Sequence, residues 1–163
     1  MPDSLTVVAA GASEIETLKA LRLRALAEAP YAFASTLERE RAMTDDDWRS
    51  WLEGAAWFFA YRAGRPVGLV AAFSEDGPAP GRHLISLWVE PEERGRGAAA
   101  ALVEAVVTLA RAEGTALVRL WVTDLNTRGR RFYERLGFAP TGRRQELASA
   151  PGTGEEELAL RVR

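Results

Sequence analysis

Arg94-Gly95-Arg96-Gly97-Ala98-Ala99 is the stretch whose residue types and order most clearly permit chemistry. It stands between an apolar run with strand character (Leu84, Ile85, Leu87, Trp88, Val89) and a run with helix character from Ala98 to Ala112. A strand, a glycine turn and a helix N-terminus together make an anion site. The N–H groups of the turn and the first unpaired N–H groups of the helix point the same way. Gly95 and Gly97 let the main chain approach a ligand with no Cβ in between. Arg94 and Arg96 add charge where a diphosphate would rest. The segment reads as the holder of a phosphorylated cofactor.

Composition narrows what such a site can do. The 163 residues fit a single domain, 1–163, able to bury a core. Apolar residues make up 47% and charged residues 27%, as in ordinary globular proteins. A net charge of −2 gives no basic face for nucleic acid. With no cysteine there is no disulfide, thiolate metal cluster or acyl-cysteine route, and one histidine, His83, makes a zinc site unexpected. No signal-peptide pattern and no apolar stretch of about 20 residues is seen, so no membrane partner and a cytoplasmic location are expected.

The elements that must position the turn follow from periodicity. Leu5–Ala9 reads as a strand. Ser13 to Glu16 fits a capping box ahead of a helix carrying Ile15, Leu18, Leu21 and Ala25, which stops before Pro30. Thr44 and Asp45–Asp47 suit the positive start of another helix, with Trp48, Trp51 and Leu52 inward. Trp57–Arg62 and Val67–Phe73 read as a hairpin, Glu75–Gly81 as a loop and His83–Val89 as a strand. The helix Ala98–Ala112 stops at Gly114, Leu117–Val122 is a buried strand, and Thr127–Leu136 is a short helix ended by Gly137. Strands from Phe138 and over Glu157–Val162, with Ser149–Gly154 as a loop, complete the chain. The order predicts a mixed α/β fold and not an alternating βαβ array.

With these elements placed, the chain resembles the GNAT N-acetyltransferase superfamily. Arg94-x-x-Gly97-x-Ala99 is similar to that family's pyrophosphate loop, Gln or Arg, two residues, Gly, one residue, Gly or Ala. Asn126-Thr127-Arg128-Gly129-Arg130-Arg131-Phe132-Tyr133-Glu134-Arg135-Leu136-Gly137-Phe138 is similar to its Asn-x-x-Ala-x-x-Phe-Tyr-x-x-x-Gly-Phe segment, with Gly129 where alanine is common. The resemblance implies a mostly antiparallel sheet of six or seven strands flanked by about four helices and splayed between the fourth and fifth strands. It implies acetyl-CoA as co-substrate, no metal, and transfer of an acetyl group to a primary amine. Homodimers are common in the superfamily, so a homodimer stays open.

The resemblance also implies roles. The strand end Trp88–Val89 and the loop Arg94, Gly95, Arg96, Gly97, Ala98 and Ala99 would hold the cofactor, with a backbone N–H near Val89 on the thioester carbonyl. Asn126 would meet the pantetheine arm, although it also stands where an N-cap belongs. Tyr133 would protonate the departing thiolate; the other reading makes Phe132 and Tyr133 core aromatics. His83 is a candidate base or a surface histidine, with Glu38, Glu40 and Asp124 as further carboxylates. Arg128, Arg130 and Arg131 either reach phosphates or face solvent. Tyr31 and Phe33 would line the acceptor pocket, whereas Trp48, Trp51, Trp57 and Phe58 read as core.

Three other functions compete. Gly95-x-Gly97-x-x-Ala100 satisfies a dinucleotide-binding pattern. However, Glu90–Glu93 separate strand from turn, and Asp124 lies beyond the usual spacing of about 20 residues. A non-catalytic acyl-CoA sensor would share the loop and helix. A phosphate-loop NTPase lacks its Gly-Lys-Ser/Thr ending.

Overall fold

The elements of the computed structural model run β1 (Leu5–Ala9), α1 (Ile15–Glu28), α2 (Leu37–Arg41), α3 (Asp45–Gly54), β2 (Ala56–Arg62), β3 (Arg65–Glu75) and β4 (Gly81–Val89). They continue with α4 (Ala98–Ala112), β5 (Leu117–Thr123), α5 (Thr127–Arg135), β6 (Ala139–Glu146) and β7 (Gly154–Arg161). Single 3-10 turns cover Pro30–Ala32 and Pro91–Glu93. The structure describes residues 4–33 and 35–162, the Tyr31 side chain excepted.

The seven strands form one sheet in the order β1-β2-β3-β4-β5-β7-β6. Every neighbouring pair is antiparallel except β4 and β5. The parallel pairing of β4 and β5 covers only Gly81↔Leu117, Arg82↔Val118 and His83↔Arg119, and beyond it the two strands part. This is the expected mixed sheet with its opening between the fourth and fifth strands.

Apolar alternation explains the layers. Trp57, Phe59, Leu69 and Trp88 face Leu18, Leu21 and Leu26 of α1 and Trp48 and Leu52 of α3. Val70, Leu84, Val89, Val118 and Leu120 face Leu102, Val103 and Val106 of α4, with Tyr133 and Phe138. The sheet is therefore covered on both sides around β3 and β4, which fixes the strand that leads into the glycine turn.

Local signals account for most boundaries. Thr44 and Asp47 form a reciprocal capping box, Asp47 N to Thr44 Oγ1 3.2 Å and Thr44 N to Asp47 Oδ2 2.8 Å. The box expected at Ser13–Glu16 does not form: Glu14 is the N-cap residue, and its carboxylate accepts from Gly11 N at 2.7 Å. With Glu14 and not Ser13 at the N-cap, Glu16 no longer stands at the third helical position from which it could reach back. β3 runs on to Glu75 and β4 begins at Gly81, so the intervening loop is shorter than expected. α2 is an additional helix of five residues, too short to show a period, capped by Thr36 Oγ1 accepting from Arg39 N at 3.2 Å.

Candidate active site

The site begins with an irregularity in β4. Leu69 pairs with Trp88 and Ala71 with Ile85, so β4 holds one residue more than β3 over that span. Ser86, inside the bulge, has φ 63°, a left-handed value rare outside glycine. The extra residue changes the strand's parity: Ile85 and Trp88, three apart, both face α1 and α3, while Leu84, Leu87 and Val89 face α4. Glu90 N donates to Val67 O of β3 at 2.8 Å. Successive strand amides alternate sides, so the Val89 N–H points into the gap where β4 has left β5.

The glycine turn closes one end of that gap. Gly95 and Gly97 have φ 77° and 90°, and Gly97 is the N-cap of α4 with no side-chain cap. Ala101 N is the first helix amide to bond back, to Gly97 O at 3.0 Å, so the amides of Ala98, Ala99 and Ala100 have no helical partner. The Arg62 guanidinium holds the turn from behind, Nη2 donating to Arg96 O at 3.1 Å and Nε to the buried Glu93 carboxylate at 2.6 Å. With the Arg96 carbonyl held by Arg62, the free amides line the opening.

The second sequence motif forms the opposite wall. Asn126 caps α5, its Oδ1 accepting from Gly129 N at 3.0 Å. At the far end Gly137, φ 99°, turns the chain so that Phe138 N donates to Tyr133 O at 3.1 Å. Tyr133 thus stands between the Phe132 and Phe138 rings, 5.3 and 5.6 Å away. Burial pushes its hydroxyl well above the usual phenol range, which keeps it protonated. The hydroxyl has no hydrogen-bond partner among the described residues.

These walls enclose a cavity of about 330 Å³ lined by Leu87, Trp88, Val89, Arg94, Gly95, Gly97, Ala98, Ala99, Asn126 and Tyr133, with Arg128 and Arg135 at its edge. Residues 21–138 match the Acetyltransferase (GNAT) family. The chain belongs to this family.

The relatives agree at that level. A mycothiol acetyltransferase from Thermobispora bispora is 36% identical over 127 residues, 76% of this chain and 42% of its own length. A peptidyl-lysine N-acetyltransferase from Salmonella typhimurium is 32% identical over 91 residues, 56% of this chain and 54% of its own. The chain thus spans less than half of the mycothiol acetyltransferases it matches. Among solved structures, a putative acetyltransferase from Salmonella typhimurium with its cofactor acetyl-CoA superposes with TM-score 0.78 at 18% identity, over 98% of this chain and 95% of that one.

Within this GNAT fold several residues expected at the site lie elsewhere. His83 is at the start of β4, where the strand still pairs with β5, six residues and roughly 20 Å before Val89. It is buried, stacks on Phe73 at 4.8 Å and bonds Glu75 Oε1 through Nδ1 at 2.5 Å, and it does not line the cavity. Phe33 is core: it packs in the α1–α3 cluster with the Arg22 guanidinium 4.7 Å above its ring. The Tyr31 side chain lies outside the described residues. Glu40 is buried against Arg22, and Asp124 pairs with Arg144 at 2.6 Å. Arg96 Nη1 turns back to Glu93 at 3.2 Å, away from the cavity lining. Of the α5 arginines expected at the phosphates or in solvent, Arg130 is committed to Glu134 and Glu156, and Arg128 lines the cavity.

Arg94 is placed at the site but is already occupied. Its Nη1 and Nη2 donate to Glu28 at 3.1 and 2.7 Å, and its Nε donates to Val89 O at 3.1 Å. Glu28 is the residue that motif reading misses. Its signal is electrostatic: an acid ending α1 sits at the negative pole of the helix dipole, so it needs a cation close by. A larger open groove of about 780 Å³ lies by Trp51, Trp57, Phe73 and Ile85, but it holds neither the glycine turn nor the unpaired helix amides.

Proposed function

We propose that this chain is an acyl-CoA-dependent N-acetyltransferase that moves an acetyl group from acetyl-CoA directly to a primary amine. One observation carries the reading: β4 leaves β5 after His83↔Arg119, so the Val89 amide opens into the same cavity as the unpaired amides of Ala98–Ala100. That spacing suits a ligand with a thioester at one end and a diphosphate at the other. Bound acetyl-CoA would supply an activated acyl group as its thioester.

The residues present fit that ligand. The α4 amides and the positive end of its dipole hold the diphosphate, and Arg128 adds charge at the rim. An unpaired β4 edge offers main-chain donors and acceptors to the amides of the pantetheine arm. The Val89 N–H donates to the thioester carbonyl as negative charge develops there. As the amine nitrogen bonds to the acyl carbon and the C–S bond breaks, the Tyr133 hydroxyl gives its proton to sulfur. The proton lost by nitrogen leaves through water and restores the phenol. The names of the relatives span unlike acceptors, so the acceptor here is assigned only as a primary amine.

Calorimetric titration with acetyl-CoA, with NAD and NADP as controls, tests the reading, followed by free-thiol release with a panel of amines. Micromolar acetyl-CoA binding with NAD silent and thiol release with an amine is expected. Binding without turnover of any amine would make the chain a sensor. NAD binding with acetyl-CoA silent would overturn the cofactor class.

A further inference from the structure

The bulge at Ser86 decides where Val89 points, and a buried ion pair reaches it. Arg22 of α1 and Glu40 of α2 are 4% and 1% exposed, and they meet through two bonds, Nε to Oε1 2.7 Å and Nη2 to Oε2 2.9 Å. The third arm of the guanidinium, Nη1, donates to Ser86 Oγ at 2.9 Å. Two rings fix the guanidinium, Phe33 at 4.7 Å and Trp51 at 5.3 Å from its carbon. Such a pair is poorly explained by stability alone, because desolvation offsets its attraction and an apolar replacement is often neutral.

We propose that Arg22, held by Glu40, is a positioning residue for acyl transfer: it pins Ser86 in its left-handed conformation and so keeps the β4 bulge that aims the Val89 N–H into the splay. Without the extra residue the strand parity reverts, and the same amide turns toward β3. The effect on rate rests on the acetyltransferase reading above; the effect on the bulge does not.

Substitutions at Ser86 separate positioning from packing. Glycine adopts positive φ freely, whereas alanine keeps the strain and loses the hydroxyl. Ser86→Ala is expected to lower kcat about tenfold, equivalent to about 1.4 kcal/mol, with KM for acetyl-CoA changed less than about twofold. Ser86→Gly, though it removes more atoms, is expected to lose no more than about threefold. The double variant Arg22→Met with Glu40→Met removes both charges and is expected to melt near the wild type while losing kcat; adding Ser86→Gly restores it. Loss of packing would give the opposite order, glycine worse than alanine, and that order overturns the proposal.

The second readout needs no substrate. Hydrogen exchange at the Trp88 amide, in the stretch paired with Leu69, is expected to quicken about tenfold in the Arg22→Met, Glu40→Met variant and to slow again when Ser86→Gly is added. Unchanged exchange in the double variant overturns the proposal. If the wild type neither binds acetyl-CoA nor releases thiol, the acetyltransferase reading fails while the exchange experiment still decides whether Arg22 holds the bulge.

Discussion

Arg94 and Glu28 tie the start of the glycine turn to the end of α1, guanidinium to carboxylate at 2.7 and 3.1 Å. Trp88 Nε1 donates to the same carboxylate at 2.9 Å, so three elements around the cavity converge on one acid. The bond from Arg94 is the main reason that the Glu28 carboxyl titrates below its usual range, against the opposing effect of burial. A depressed folded-state pKa means stabilisation that is complete above the unfolded value, ~4.3, and lost as pH falls through the lower folded value. Glu28→Gln should therefore melt below the wild type at neutral pH, and the gap should close as pH drops toward 3. The pair is partly exposed, so the gap is put at no more than about 1 kcal/mol, about 2–4 °C at this size. Thermal unfolding against pH checks it; a gap that persists in acid would show that the carboxylate charge is not the cause.

Gly97→Ala tests the proposed anion site. A Cβ there meets nothing within 4 Å, but φ is 90°. The penalty is therefore conformational, about 1–2 kcal/mol for a non-glycine residue. The backbone relieves it by rotating the first amides of α4. Acetyl-CoA affinity should fall about tenfold or more while the melting temperature drops only a few degrees. Calorimetry beside a melting curve tests this, and unaltered affinity would remove the Ala98–Ala100 amides from the site.

The elements with a strong period or a local cap were legible in the sequence, and so was the glycine turn that opens α4. Thr44–Asp47, Gly95–Gly97, Asn126 and Gly137 each act through neighbours within a few residues, which is what sequence spacing records. The polar interior was not legible. Arg22, Glu40 and Ser86 are bonded across long separations, and arginine and glutamate on a helix ordinarily read as a solvated face. His83 shows a related limit: its strand was clear, but alternation does not say at which residue β4 leaves β5, and that point puts His83 among Phe73 and Glu75. Charge, two glycines and the helix start beside it point Arg94 to phosphate, whereas Glu28, 66 residues away in the chain, holds its guanidinium.

Gly129 replaces the alanine common in the motif, and the reason is visible. A Cβ at that position would lie 2.5–2.8 Å from the Asn126 side chain, which occupies the space as the α5 cap. Removing the cap by Asn126→Ala should destabilise by about 1 kcal/mol. In a Gly129→Ala background the same change should have almost no effect, because the methyl has already displaced the cap. Chemical denaturation of the four proteins gives the coupling directly, and additive effects would mean that Asn126 caps α5 by another route.

Tyr133→Phe tests the proposed acid. The ring packs with Phe132 and Phe138, but the hydroxyl has no partner among the described residues, so its removal breaks no bond seen here. Stability should change by less than about 0.5 kcal/mol, with acetyl-CoA binding close to that of the wild type. Loss of general-acid catalysis should lower kcat about 10²-fold. Because burial drives the phenol upward, its ionisation should add no inflection to the wild-type rate profile between about pH 6 and 9. The rate with an amine whose conjugate acid has a low pKa is the decisive comparison. Such an amine is already neutral, so deprotonation no longer limits its attack, and departure of the thiolate governs the rate. If Tyr133→Phe then turns over at the wild-type rate, the thiolate takes its proton elsewhere and Tyr133 serves only as a wall of the cavity.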